Sequence, residues 1–346
     1  MSEVGHAIDP VDRARMEEFG SDVKRIRSWL QQTVVGQDET ISQLLTCALT
    51  GSHSLLVGAP GLAKTLMVKS MATAFGWKFS RIQFTPDLMP TDITGYELLG
   101  RAEDGSNSMV FRPGPVFANL VLADEINRAA PKTQSALLEA MGENHVTVGG
   151  QTYPLDPPFL VVATQNPIEQ EGTYPLPEAQ LDRFMMQVHV EYPKPAEERE
   201  IVMKTTSADL EPVTGDMSVS TFLEMRKTIM AVPAPEHVID FAVALCGASR
   251  PTDERAIATA REYLAFGAGP RGAQNLVLAA KANSLIDGRP APTVEDIERI
   301  AKPVLRHRLI LNHRALGDGV VADQIIEQLV SHCQSNPSWW QAKSAS

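Results

Sequence analysis

The sequence predicts an α/β core built on a parallel sheet, followed by a smaller helical domain. Three observations carry that prediction. Short apolar runs alternate with helical patterns as far as Tyr192. A glycine-rich loop joins the first of those runs to a helix, and a later run ends in two acids. Beyond Tyr192 the strand pattern stops and helical periodicity takes over. Strands that alternate with helices need crossover connections, and these give a parallel sheet covered on both faces.

The elements follow in chain order. The opening 30 residues carry many charges and the apolar series Met16, Phe19, Val23, Ile26, Trp29 and Leu30, which predicts one amphipathic helix packed on the core. Strands are expected at residues 54–57, 79–84, 120–123, 159–164 and 185–190, several of them continuous apolar runs typical of buried parallel strands. Helices are expected at 65–75 and 131–141. Two hairpins interrupt this pattern. One turns at Gly149-Gly150 between His145-Val146-Thr147-Val148 and Gln151-Thr152-Tyr153; the other turns near Asp104-Gly105. They are either ornamental loops or tools added to the fold. Pro193-Lys194-Pro195 reads as a linker. Thr221 to Glu224 and Thr293 to Asp296 have the Ser/Thr-x-x-acid spacing of a helix start. Helices then fill most of 236–249, 253–266, 272–287, 294–302 and 318–333. The expected division is an N-terminal helical segment at 1–33, the α/β core at 34–192, and a linker with the helical domain at 193–346.

Composition narrows the function. The chain has 346 residues, 43% of them hydrophobic and 21% charged, an ordinary globular balance with enough apolar material for a sizeable core. A net charge of -11 opposes nucleic-acid binding in bulk. No apolar run reaches the length of a membrane span, and the polar first ten residues show no secretory signal, so no membrane insertion and a cytoplasmic location are expected. Cys47, Cys246 and Cys333 are too far apart for a metal knuckle and odd in number, which suits free thiols in a reducing compartment.

The chemistry concentrates in five segments. Gly58-Ala59-Pro60-Gly61-Leu62-Ala63-Lys64-Thr65 follows an apolar strand and opens a helix, with Leu66 next. That is the context of a phosphate-binding loop. Glycines let the backbone wrap a phosphate with its N–H groups turned inward, and the helix start adds its positive dipole end. Lys64 is placed for the β and γ phosphates and the Thr65 hydroxyl for Mg²⁺. Gly58, Pro60, Gly61, Leu62, Ala63, Lys64, Thr65 and Leu66 form the nucleotide-cradling set. Alanine stands at 63 where the general pattern has glycine, which the loop accepts if that residue's φ is negative. Asp124-Glu125 closes an apolar strand. Two carboxylates there are costly unless a cation or water uses them. Asp124 suits Mg²⁺ through water, and Glu125 suits general-base activation of a water. Thr164-Gln165-Asn166-Pro167 ends another strand, and Asn166 can orient a water or read a γ-phosphate. Arg183 precedes the last strand; alone, it could simply pair with Asp182 or Glu178. Pro270 favours a helix start, so Arg271 sits where it could lean over a nucleotide, or remain a solvated charge.

These segments, in this order, resemble the AAA+ ATPases, and most closely the MoxR family in the helix-2-insert clade that also holds the magnesium chelatase motor subunit. The likeness rests on 58–65, 83–95, 114–118, 123–129, 163–167, 174–184 and 269–272, and runs from about Val34 to Asn312. The Ala63-Lys64-Thr65 variant is itself typical of that family. The resemblance implies an AAA+ P-loop core, a five-stranded parallel sheet with inserted hairpins, followed by a helical lid. It implies an Mg²⁺-dependent ATPase with ATP as its nucleotide. It identifies Asn166 as sensor 1, Arg183 as an arginine finger for the neighbouring subunit, Arg271 as sensor 2, and the stretch with Val35 and Gly36 as the adenine-side lining. It also implies a ring of identical subunits, commonly a hexamer, with a chaperone-like role on a client protein and a partner carrying a von Willebrand factor A domain.

Three rival readings remain open. A nucleic-acid motor would usually place basic residues on the second hairpin, and residues 145–156 contain no Lys or Arg. A non-hydrolysing ATP switch fits poorly with Glu125, Asn166 and Arg183. A chelatase-type motor needs a tetrapyrrole-handling partner that this chain does not contain. His307 and His313 lack the spacing of paired ligands. Trp339-Trp340 reads as a docking peptide or an apolar patch.

Overall fold

The computed structural model of the chain describes residues 13–101, 107–168, 172–207, 215 and 217–340. Two compact units divide it, one at Ile26–Val219 and one joining the residues through Arg25 to those from Ser220 onward.

The first unit holds the sheet. Helix α1 (Arg13–Thr33) enters it, with Ile26 and Leu30 buried. There follow α2 (Asp38–Leu49), β1 (His53–Val57), α3 (Lys64–Ala74), β2 (Phe79–Gln83), α4 (Pro90–Thr94) and the hairpin of β3 (Gly95–Arg101) with β4 (Asn107–Pro113). Next come β5 (Leu120–Asp124), α5 (Pro131–Glu143), the hairpin of β6 (His145–Val148) with β7 (Gln151–Pro154), β8 (Leu160–Gln165), α6 (Glu178–Leu181), β9 (Phe184–His189) and α7 (Pro195–Ser207). The five core strands lie in the order β2-β5-β8-β1-β9, all parallel. The five expected strands are these five, each within a residue or so at its ends.

Burial on both faces explains the continuous apolar runs, since β5 is buried from Leu120 to Asp124. Val121, Ala123, Val161 and Ala163 alternate along β5 and β8 onto one side. They join Leu137, Leu138 and Met141 of α5 in one cluster. The two hairpins form, and Phe111 of β4 stacks on Tyr153 of β7 at 3.9 Å. The Asp104-Gly105 turn lies outside the described residues.

The second unit is helical. It contains the start of α1, then α8 (Val219–Ala231), α9 (Glu236–Ala248), α10 (Ala258–Tyr263), β10 (Leu264–Phe266), α11 (Pro270–Ile286), α12 (Val294–Leu305), β11 (Ile310–Leu311), α13 (His313–Asp318) and α14 (Ala322–Ser335). The Thr293 start is a capping box, with the Asp296 carboxylate accepting from Thr293 N at 2.8 Å. Thr221 instead lies inside α8. The helix expected over 253–266 ends at Tyr263, because Leu264 and Phe266 pair antiparallel with β11. The one expected over 318–333 is split by Gly319, whose φ of 69° stops α13. Trp340 meets Phe241 edge-on at 5.1 Å, an apolar contact within the unit. All three cysteines are free and buried, and burial pushes the Cys246 and Cys333 thiols up to about 12. Among the described residues no single helix is long and apolar enough to cross a membrane.

Candidate active site

The glycine-rich loop spans β1 to α3, at the carboxyl end of the sheet where open parallel sheets bind ligands. Gly58 admits no side chain, since a Cβ there would lie 2.7 Å from Val190 O on the neighbouring strand's exit. Gly61 has open space around it but needs a φ of 81°. Ala63 caps α3 in the left-handed region at φ 54°, against the negative φ expected for it. The loop reaches the helix only through that turn, and the methyl costs about 1 kcal/mol of strain. Lys64 Nζ donates to Gly58 O and, at 2.8 Å, to Ala59 O. Burial lowers the Lys64 pKa, and the carboxylates of Asp124 and Glu125 work against that shift. Thr65 lies in the first turn of the same helix.

Asp124 and Glu125 end β5, between β2 and β8. Asp124 Oδ1 accepts the Thr164 hydroxyl at 2.6 Å, and Oδ2 accepts Arg81 Nε at 3.1 Å and its terminal amine at 2.7 Å. Glu125 turns out of the strand with φ 56°, and its N–H donates to Thr164 Oγ1 at 2.8 Å. Its carboxylate accepts Gln83 Nε2 at 2.7 Å and Arg128 at 2.9 Å. One hydroxyl thus links the Asp124 carboxylate to the Glu125 backbone N–H, and each carboxylate has its own cationic or amide clamp.

Asn166 follows β8 and is buried. Its Oδ1 accepts the Ile168 N–H at 3.1 Å, while its Nδ2 is buried without a hydrogen-bond partner. A buried orphan donor costs on the order of 1–3 kcal/mol. Placed beside the loop strand β1, it fits a group that accepts a hydrogen bond, such as a phosphate oxygen or its water. The set of loop, acids and orphan amide therefore suits a nucleotide phosphate with Mg²⁺, held by Thr65 and, through water, by Asp124.

A pocket of about 110 Å³ lies against the loop, with Val34, Val35 and Gln37 on one side and Leu62, Ala63 and Leu66 on another. Pro193, Ile201, Lys204 and Thr205 close it from α7 and the chain before it. Gly36 and Gln37 take φ of 66° and 58°, and Gln37 Nε2 anchors this turn on Glu191 O at 2.8 Å. The apolar lining suits a flat heterocycle.

Arg183 is not near its own loop. It precedes the amino end of β9, whereas the loop leaves the carboxyl end of the parallel β1 alongside. The length of a strand separates them. Its guanidinium donates to Leu138 O and rests on Gly142, where a Cβ would lie 2.0 Å from Nη1. Arg271 is exposed in the first turn of α11, in the helical unit, with Pro270 before it as expected. Sequence reasoning missed Arg81, Gln83, Arg128, Thr164 and the α7 wall. The Glu125–Arg128 spacing of three is a visible signal for a helical pair. Arg81 and Gln83 share one face of β2, but nothing in the sequence makes β2 the neighbour of β5.

Residues 53–186 match the family described as ATPase family associated with various cellular activities (AAA), and residues 257–329 match the AAA lid domain. Chaperone MoxR1 of Mycobacterium tuberculosis is 42% identical over 94% of this chain and 87% of its own. Protein MoxR of Paracoccus denitrificans is 31% identical over 82% of this chain and 87% of its own. A crystallised protein of Cytophaga hutchinsonii, assigned as an ATPase, superposes with a TM-score of 0.85 at 42% identity, covering 92% of this chain and 96% of that one. With this fold, this site and these relatives, the chain belongs to the MoxR family of AAA ATPases.

Proposed function

We propose that the chain hydrolyses ATP with Mg²⁺ at the interfaces of a ring of identical subunits, commonly six, and uses turnover to remodel or mature a client protein complex. The observation that carries the shared-site reading is the placement of Arg183 at the far end of the sheet from the loop of its own chain. The loop amides and Lys64 bind the phosphates, the pocket between Val35 and Ile201 takes the base, and Asn166 positions the attacking water. Glu125 accepts the water's proton once its carboxylate leaves Gln83 and Arg128. Arg183 of the next subunit meets the charge that develops on the phosphoryl group. Mg²⁺, when bound with ATP, neutralises phosphate charge and orients the terminal phosphate. Arg271 keeps the sensor 2 role that the family resemblance implies. The name of the Mycobacterium tuberculosis relative supports a chaperone-like role. A von Willebrand factor A-domain partner and a cytoplasmic location rest on family resemblance.

The test uses two variants. Glu125→Gln binds ATP with near wild-type affinity and hydrolyses it poorly. Arg183→Ala also binds ATP, and turnover falls by about 10³-fold or more. A wild-type rate in Arg183→Ala overturns the finger assignment. Stimulation of turnover by DNA would favour the nucleic-acid motor instead.

A further inference from the structure

We propose that Gln134 is a positioning residue that ties the Glu125 turn and the Arg183 segment to one rigid strut, helix α5, so that the base of one site and the finger of the next are held together. The inference rests on the shared-site reading above.

Gln134 is fully buried in the second turn of α5. Its Nε2 donates to Ile126 O at 3.2 Å and Ala129 O at 3.1 Å, the carbonyls of the turn that follows Glu125. The same amide donates to Tyr174 O at 3.0 Å, at the start of the segment that leads to Arg183. The two segments also join directly, Tyr174 N donating to Asn127 O at 2.6 Å. Two N–H bonds serving three carbonyls of two separate segments is more than packing needs. A buried amide that could have been a leucine carries a desolvation cost that these contacts must offset.

The segment then follows α5 toward its carboxyl end. Leu176 is buried in the cluster with Ile126, Ala129, Leu137 and Leu138. Gln180 Nε2 reaches Ser135 Oγ at 3.3 Å, and Arg183 reaches Leu138 O. Helix α5 is also pinned at its start, where the Thr133 hydroxyl donates to Leu88 O at 2.7 Å. A straight helix transmits displacement without bending, so a shift of the Glu125 turn moves the finger segment with it. Gln134 is the joint through which that movement passes.

The test is complementation in mixed rings. Gln134→Met keeps the volume and removes both N–H donors. The expected outcome is kcat about a hundredfold lower, as for a small misplacement of catalytic groups, with ATP affinity close to wild type and a lower melting temperature from the carbonyls left without that donor. Mixing Glu125→Gln with Arg183→Ala restores turnover, because one subunit supplies the finger and the other the base. Failure of that control overturns the shared-site reading and leaves Gln134 aside from the blame. When the control succeeds, Gln134→Met mixed with either variant shows no gain over its own low rate, since it can supply neither a good base nor a good finger. Recovery in either mixture assigns the defect to one side and overturns the strut, as does a wild-type kcat for Gln134→Met alone. If Gln134→Met does not fold, Tyr174→Pro decides by the same mixtures, with Tyr174→Ala as its control: Pro removes the N–H given to Asn127 as well as the exposed ring, and Ala removes the ring alone.

Discussion

His53 shows how one partly buried side chain sets a stability window. It opens β1 among buried neighbours, its Nδ1 accepting the Val161 N–H at 3.0 Å and its Nε2 facing Met141 O at 3.2 Å. That pairing requires the neutral ring with the proton on Nε2. Burial lowers its pKa from 6.5 to about 4, helped by the nearby Arg183 charge and opposed by the Met141 carbonyl. The unfolded chain therefore binds a proton here between those two values, and the folded chain does not. Stability is full above the unfolded value and falls as pH drops toward the folded one, by about 3 kcal/mol in total. Denaturant midpoints of wild type should fall between pH 7.5 and pH 4.5, and His53→Gln should flatten that part of the slope. An unchanged slope would mean that His53 titrates in place. Ala63 gives a second residue-scale prediction. Glycine adopts its φ of 54° without strain, so Ala63→Gly should raise stability by up to about 1 kcal/mol, read from the same denaturation curves. A clear loss would show that the methyl packs usefully in the loop.

Elements were legible where a pattern is local. The five strands, the Gly149-Gly150 hairpin and the capping box at Thr293 all follow from residues within one short window. The loop and the two acids were legible for the same reason, each being a single strand end. The partners of those acids were not. Arg81 and Gln83 reach Asp124 and Glu125 only because β2 pairs with β5, forty residues on, and strand order is a property of the whole sheet. The φ of Ala63 escaped as well, since the turn geometry depends on where the loop meets α3. Helix α7 is the larger omission: its sequence reads as a charged surface helix, yet Ile201 and Thr205 line the pocket beside Val35. Placing a carboxylate against that apolar lining disfavours a nucleotide base and, through like charge, its phosphates. Ile201→Asp should therefore weaken ATP binding about tenfold, a cost of about 1.4 kcal/mol, while the unfolding midpoint stays near wild type. Unchanged affinity in a fluorescent-nucleotide titration would move the base out of this pocket.

At the scale of the whole molecule, the proposed finger role of Arg183, given its separation from its own loop, would make turnover a property of the assembly. On that proposal a lone chain carries the phosphate-binding groups and lacks one charge-neutralising group. It should bind ATP at any concentration and hydrolyse it well only when a second chain presents its finger. Specific activity should then rise with protein concentration and level off once assembly is complete, while ATP affinity stays flat. Arg183→Ala sharpens the expectation. Each such subunit keeps its own base and pocket but disables the site next to it. Titrated into a fixed amount of wild type, it leaves the number of working fingers unchanged, and each of them still meets an intact base. Independent sites should therefore keep total turnover constant while turnover per added chain falls. A finger acting within its own chain would instead make specific activity independent of concentration. Total turnover in the titration also reports coupling around the assembly. A fall in that total means that one site waits on another, as a rigid link from each base to the next finger requires.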